Sequence, residues 1–252
     1  DTFNLGIETK SGDADFCTKV DIENEEYIMA QIQKAFPSHK IIGEETTGTG
    51  EIDALTHTAT WIIDPIDGTT NFASGIPLTC VSIGLCVNKV PVMGVIYAPL
   101  TKELYMAVTG CGAYRNGDHI AQRFTSKPLN QAVICCEFGY PRDKPSIQKM
   151  VGAVERIMEN GCRAIRQLGS GCLDLAYVAT GRLDVVYAGV AGEGWKPWDY
   201  AAGVVLLQES GCLIEGIPEE TRGAPFDLYS TSLIAAGSRE LLDECRKIVT
   251  NK

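Results

Sequence analysis

Between Asp21 and Phe36 apolar and polar positions follow helical spacing, predicting an amphipathic helix with Asp21 as its N-cap and Pro37 as its stop. Short apolar runs then take over at Ile41-Ile42, Trp61-Ile62-Ile63, Val81–Val87, Val92–Tyr97 and Leu104–Val108, all reading as strands. An Asn-Gly pair within "GCGAYRNGDHI" (110–120) predicts a hairpin. The rhythm changes after that. Helical spacing returns over Ser146–Met158, Ser170–Thr180, Tyr200–Gln208 and Leu241–Val249, separated by strands near Ala164–Leu168, Val185–Tyr187 and Leu233–Ala236. Hairpins first and alternating strands and helices later predict an α+β layered protein with two sheets, changing from one half to the other near residues 130–145.

Composition narrows the function classes. The chain has 252 residues and a net charge of −10, which disfavours nucleic acid and anionic lipid as partners. It disfavours a phosphorylated substrate too, unless a cation sits at the site. No apolar run reaches the roughly 18 residues of a spanning helix, so a membrane protein is not expected. Ten scattered cysteines form no C-x-x-C, and most lie in apolar runs, the pattern of buried reduced thiols in a cytoplasmic protein. The chain opens at Asp1 in polar sequence rather than at Met, so a preceding segment is expected to have been trimmed or left out. P-loop and H-E-x-x-H patterns do not occur. "DADFC" (13–17) approaches the D-x-D-x-[TV] of a phosphoaspartate phosphatase, but its fifth residue is Cys and polar sequence precedes it.

Candidate chemistry concentrates where strands end. "WIIDPIDGTTNF" (61–72) places Asp64 after an apolar strand, Pro65 to fix the backbone and Asp67 returning toward the same side. Gly68-Thr69-Thr70 behind them can open a helix whose N–H groups face an anion. Carboxylates beside an anion site make sense with a cation between them, and oxygen ligands without a nearby His or Cys select hard ions such as Mg²⁺. The competing reading is an Asp-Gly turn bonded to its own backbone. "IIGEET" (41–46) repeats the theme with Glu44 and Glu45, and "KPWDYAAG" (196–203) sets Asp199 at a helix start.

Together "GEE", "WIIDPIDGTTNF" and "WDYAAG" resemble, in order and spacing, the signatures of the inositol monophosphatase family of Mg²⁺-dependent, lithium-sensitive phosphatases. "KSGDADFCTKVD" (10–21) resembles its mobile loop, and "GSGCLDLAYVATGRLD" (169–184) part of its substrate wall. The resemblance runs from about residue 8 to the C-terminus. It implies the αβαβα sandwich of the inositol monophosphatase / fructose-1,6-bisphosphatase type. One phosphatase domain would span 1–252, with a larger-sheet half over 1–140 and a smaller half over 141–252 contributing Asp199. The family's usual N-terminal helix is absent, and restoring it is expected to raise thermal stability by covering sheet surface.

The resemblance also implies roles. Glu44, Asp64 and the Ile66 carbonyl would hold a first Mg²⁺, and Asp64, Asp67 and Asp199 a second, with two to three ions per site. Glu44 and Thr69 would orient the attacking water, with Asp21 hydrogen-bonded to Thr69. Asp67, Gly68, Thr69, Gly169 and Ser170 would contact substrate, and Lys10 would belong to the loop closing over a weaker third ion. The expected substrate is a small phosphate monoester, foremost myo-inositol monophosphate, and the expected assembly a cytoplasmic homodimer. Histidinol phosphate, a sugar phosphate, a 3′-phosphonucleotide and a non-catalytic cation sensor are the alternatives. Tyr140, where inositol-active relatives often carry a small polar residue, and the 188–198 loop with Glu193 and Lys196 leave substrate identity open.

Overall fold

Two sheets and three layers of helix organise the chain, as seen in a computed structural model that describes residues 6, 8–12, 15–121, 127–192 and 194–250. A small hairpin, β1 (Glu8–Gly12) and β2 (Asp15–Cys17), leads into α1 (Lys19–Ala35). There follow β3 (Lys40–Gly43), α2 (Glu44–Thr47), β4 (Thr60–Asp67) and α3 (Thr69–Ser74). A meander then runs through β5 (Cys80–Val87), β6 (Val90–Ala98), β7 (Glu103–Val108), β8 (Gly112–Arg115) and β9 (Asp118–His119). The second half comprises β10 (Val133–Glu137), α4 (Lys144–Asn160), β11 (Ala164–Arg166), α5 (Gly171–Ala179) and β12 (Val185–Ala188). It closes with α6 (Pro197–Glu209), β13 (Leu213–Glu215), β14 (Leu233–Ala236) and α7 (Arg239–Thr250).

Strands β3 to β9 form a seven-stranded sheet in sequential order. Its β3–β4 pair is parallel and the rest antiparallel. The five-stranded sheet has the order β11-β10-β12-β14-β13, with the first three strands parallel. Burial of each helix follows from its sequence. Helices α5 and α6 are apolar nearly all round and lie between the sheets, whereas α4 and α7 bury one stripe against the outer face of the smaller sheet. Helix α1 packs on β4 from the opposite side. This is the expected layered αβαβα arrangement.

The middle layer sits unusually close. A Cβ at Gly84 of β5 would lie 2.5 Å from the Ala201 side chain, and one at Gly94 of β6 would lie 2.3 Å from the Ala202 carbonyl. Bare backbone at both positions lets α6 settle onto the large sheet. The Asn116-Gly117 hairpin forms as expected, with positive φ at both residues, the requirement of a two-residue primed turn.

Three boundaries differ from the sequence reading. Val133–Glu137 pairs with β11 and β12, so the passage between sheets falls between His119 and Val133, upstream of residue 140. The α1 N-cap is Thr18 rather than Asp21, which lies one turn in and reaches back to accept from the Thr18 amide at 2.9 Å. Helix α6 begins at Pro197 rather than Tyr200, because proline loses nothing at a first helical position.

Candidate active site

Strand β4 is the spine of the site. In an unbroken strand residues 64 and 67 would face opposite sides, since side chains alternate. Here Asp64 pairs with Ser82 and Asp67 with Cys80, so three steps on one strand match two on the other. That bulge, placed where Pro65 has no N–H to give a ladder, turns both carboxylates the same way. Strand β3 runs parallel to β4 with Gly43 beside Ile63, so its C-terminal end delivers Glu44 next to Asp64. Asp199 arrives from the first turn of α6, its carboxylate accepting from the Lys196 amide at 2.6 Å.

Asp64, Asp67 and Asp199 each offer an oxygen within 4.8 Å of the others, and Asp64 and Asp67 are buried. Burial first, then the charges of Glu44, Asp67 and Asp199, pushes Asp64 well above the usual carboxylate range. Asp199 is driven up by burial and by Asp67. Burial raises Glu44 to about 7, against the opposing pull of Lys10. Asp67 is raised by burial as well, though it is better satisfied. It accepts from Ser170 Oγ at 2.5 Å, the Cys172 amide at 2.8 Å and the Gly171 amide at 3.2 Å, capping α5. Asp64 Oδ1 is different: it is buried and, among the described residues, has no hydrogen-bond partner. Converging carboxylates with an orphaned oxygen at their centre fit a hard divalent cation.

The surrounding groups are held from several directions. Thr69 Oγ1 lies 3.1 Å from the Ile66 carbonyl and 3.3 Å from Asp21 Oδ1, placing its hydroxyl between two acceptors. Gly68 takes φ 86°, and a Cβ there would meet the carbonyls of Leu78 at 2.9 Å and Gly169 at 3.1 Å. Lys10 donates to Glu44 at 3.0 Å and to Glu45 at 2.9 Å. Tyr140 is exposed, and Glu193 lies outside the described residues. Ser170 turns its hydroxyl onto Asp67, and Gly169 packs against Asn71.

Several supporting residues escaped the sequence reading. Glu25, buried on α1 one turn beyond Asp21, accepts from the amides of Glu45 and Thr46 at 2.9 and 2.7 Å and so anchors α2. The Asp21/Glu25 spacing, two acids on one helical face, was the available signal. Asn71 donates to the Leu78 and Leu168 carbonyls, and Glu137 accepts from the Leu168 and Gly169 amides at 2.7 and 2.9 Å. Both fasten the 168–170 turn to the site.

Comparison with known proteins agrees with this geometry. The profile of the inositol monophosphatase family matches residues 2–251. The chain belongs to the inositol monophosphatase family. It is 38% identical over 235 residues to inositol monophosphatase 2 of Rattus norvegicus, covering 93% of this chain and 78% of the rat protein. It is 41% identical over 229 residues to inositol monophosphatase 2 of Solanum lycopersicum, covering 90% and 83%. Among solved structures, the Thermotoga maritima IMPase superposes with a TM-score of 0.80 at 31% identity, covering 96% of this chain and 86% of that one. The extragenic suppressor protein suhB of Bartonella henselae superposes with a TM-score of 0.85 at 29% identity, covering 100% and 90%. As a member of this family the chain is a phosphatase, a phosphoric monoester hydrolase.

Proposed function

We propose that this chain hydrolyses a small phosphate monoester, foremost myo-inositol monophosphate, with Mg²⁺ as cofactor. The observation that carries the reading is the buried, partnerless Asp64 oxygen among Asp67, Asp199 and Glu44. Glu44, Asp64 and the Ile66 carbonyl would hold one ion and Asp64, Asp67 and Asp199 another, for two to three ions per site. When bound, such ions offset the repulsion between carboxylates and a phosphate dianion and make water acidic enough to attack. The chain itself orients the reactants. Asp21 and the Ile66 carbonyl hold the Thr69 hydroxyl, which with Glu44 would align the attacking water. Bare backbone at Gly68 lets the Leu78 and Gly169 carbonyls approach closely, and the phosphate would sit beside Asp67, Gly68, Thr69, Gly169 and Ser170. Lys10, on the β1–β2 hairpin, would close the site from above.

The names borne by relatives at 38–41% identity support inositol monophosphate as the substrate. All ten cysteines are free, as a reducing cytoplasmic setting requires, and the reading extends to a homodimer as in the family. The net charge of −10 disfavours nucleic acid as a partner. No helix among the described residues is long and apolar enough to cross a membrane. The deciding experiment ranks phosphate release by kcat/KM from inositol 1-phosphate, histidinol phosphate, a sugar phosphate and a 3′-phosphonucleotide, with Mg²⁺ and with chelator. Inositol 1-phosphate ranks first and chelator abolishes turnover. Another ester ranking first overturns the substrate assignment, and Mg²⁺ binding without turnover on any ester identifies a cation sensor.

A further inference from the structure

Two thiols stand directly behind the acidic centre. Cys80, opposite Asp67 in the β4–β5 ladder, and Cys172, in the first turn of α5, are both buried. Cys80 Sγ, Cys172 Sγ and an Asp67 carboxylate oxygen all lie within 4.8 Å of one another. Cys80 Sγ is 3.5 Å from Asp67 Oδ2 and 3.9 Å from Ser170 Oγ, which supplies a fourth donor. Cys172 Sγ is hydrogen-bonded to Cys80 and makes long contacts to main-chain carbonyls, 3.5 Å to Asp199 and 3.8 Å to Trp198.

We infer that Cys80, Cys172 and Asp67 form a second metal site, selective for soft or borderline divalent cations of the zinc and cadmium type, whose occupation switches the phosphatase off. A zinc-type ion takes sulfur at about 2.3 Å and carboxylate oxygen at about 2.0–2.2 Å, so tetrahedral donors stand roughly 3.5–3.8 Å apart. The 3.5 Å between Cys80 Sγ and Asp67 Oδ2 meets that requirement, and Cys172 Sγ, within 4.8 Å of Cys80 Sγ and an Asp67 oxygen, reaches it by a short approach. Thiolate donors select against Mg²⁺, whereas the all-oxygen triad of Asp64, Asp67 and Asp199 selects for it. Asp67 belongs to both sets. A soft ion held from behind therefore draws Asp67 out of the oxygen triad, and the two thiol protons leave to solvent as it binds. Cys80 also borders a 430 Å³ cavity lined by Val20, Asn24, Tyr27, Ile66 and Leu100.

The test titrates the metal-free full chain with Cd²⁺ in a non-thiol reductant and follows the ultraviolet cadmium–thiolate charge-transfer band. The band saturates at one equivalent in the native chain, survives in Cys86→Ala, and is lost in Cys80→Ala/Cys172→Ala. No band in the native chain, or an undiminished band in the double variant, overturns the site. Should the double variant not fold, a native crystal soaked in Cd²⁺ decides. Anomalous density between Cys80, Cys172 and Asp67 supports the site, and density elsewhere alone refutes it. The inhibitory consequence rests on the proposed phosphatase reading. In Mg²⁺-driven turnover the double variant requires at least about tenfold more Cd²⁺ for half-inhibition, and equal sensitivity overturns the switch. Absence of turnover in every sample defeats the substrate reading while the spectroscopic result still decides the metal site.

Discussion

Two clusters of buried charge make opposite bargains with the fold. At the end of the smaller sheet Glu215 accepts from the Gly223 amide at 2.9 Å and pairs with Arg239 at 2.7 Å and with the buried Arg246. Asp243 adds a contact to Arg222 at 2.5 Å. Burial would raise Glu215, yet Arg239, Arg246 and the Gly223 amide hold it below its usual value. At the end of β4 the signs do not cancel. Asp64, Asp67 and Asp199 converge, each is pushed upward, and none has an ion pair among the described residues. Charge neutralised from within is architecture, and converging carboxylates with no cationic partner suit a hard cation. Lys10, clasping Glu44 and Glu45, stands between the two cases.

The largest effect expected from this contrast comes from Asp64→Asn. Activity falls on the order of 10³-fold, as when a group that stabilises transition-state charge is removed. In chelator, however, the variant gains about 1–2 kcal/mol of stability, because a repelled carboxylate has gone. Activity assays and thermal melts of the same sample measure both. A variant less stable than the parent in chelator would break the comparison.

Glu215→Gln behaves in reverse. It strands Arg246 in the interior and costs about 3–5 kcal/mol, while kcat/KM per folded molecule is unchanged. The two clusters also give pH slopes of opposite sign. Glu215, lowered on folding, contributes stability above the unfolded value of 4.5 that is lost as pH falls through its folded pKa. Glu44, raised on folding, contributes stability below 4.5 that is lost as pH climbs through about 7. Melts in chelator therefore decline from about pH 4.5 to 7 and those with Mg²⁺ do not, so Mg²⁺ raises Tm more at pH 7.5 than at pH 5. Equal Mg²⁺ shifts at the two pH values would remove the site's half of the contrast.

How much of this could be read from the sequence depends on the reach of each interaction. Apolar strands ending in acids were legible because strand and carboxylate adjoin, as in "WIIDPID" and "IIGEE". The layered fold was legible from the alternation of its elements. Val133–Glu137 went unread as a strand because its two cysteines and terminal glutamate carry weak strand signal, and Leu213–Glu215 because three residues make no period. Asp21 is a sensible cap until Thr18 is seen to take that place. Ser170 bonding Asp67 across 103 residues has no local trace. That contact exists only once the two sheets have closed around α5.

The smallest expected effect separates two roles for Lys10. Its ammonium is mostly buried, and burial alone would lower its pKa, but Glu44 and Glu45 raise it overall. It is therefore charged and occupies the Glu44 carboxylate, which under the proposed reading an incoming Mg²⁺ would share. If displacing it is part of binding, Lys10→Met lowers the Mg²⁺ concentration for half-maximal activity a few-fold, about 0.5–1 kcal/mol. The metal-free chain then loses stability by a similar amount, because Glu44 loses its partner. Titrating activity against Mg²⁺ and melting the chelated variant reads both quantities. Tighter Mg²⁺ binding with a weaker metal-free fold makes Lys10 a stand-in cation. Weaker Mg²⁺ binding shows instead that the lysine stays in place as the hairpin closes, assigning it to the working site rather than to the resting fold.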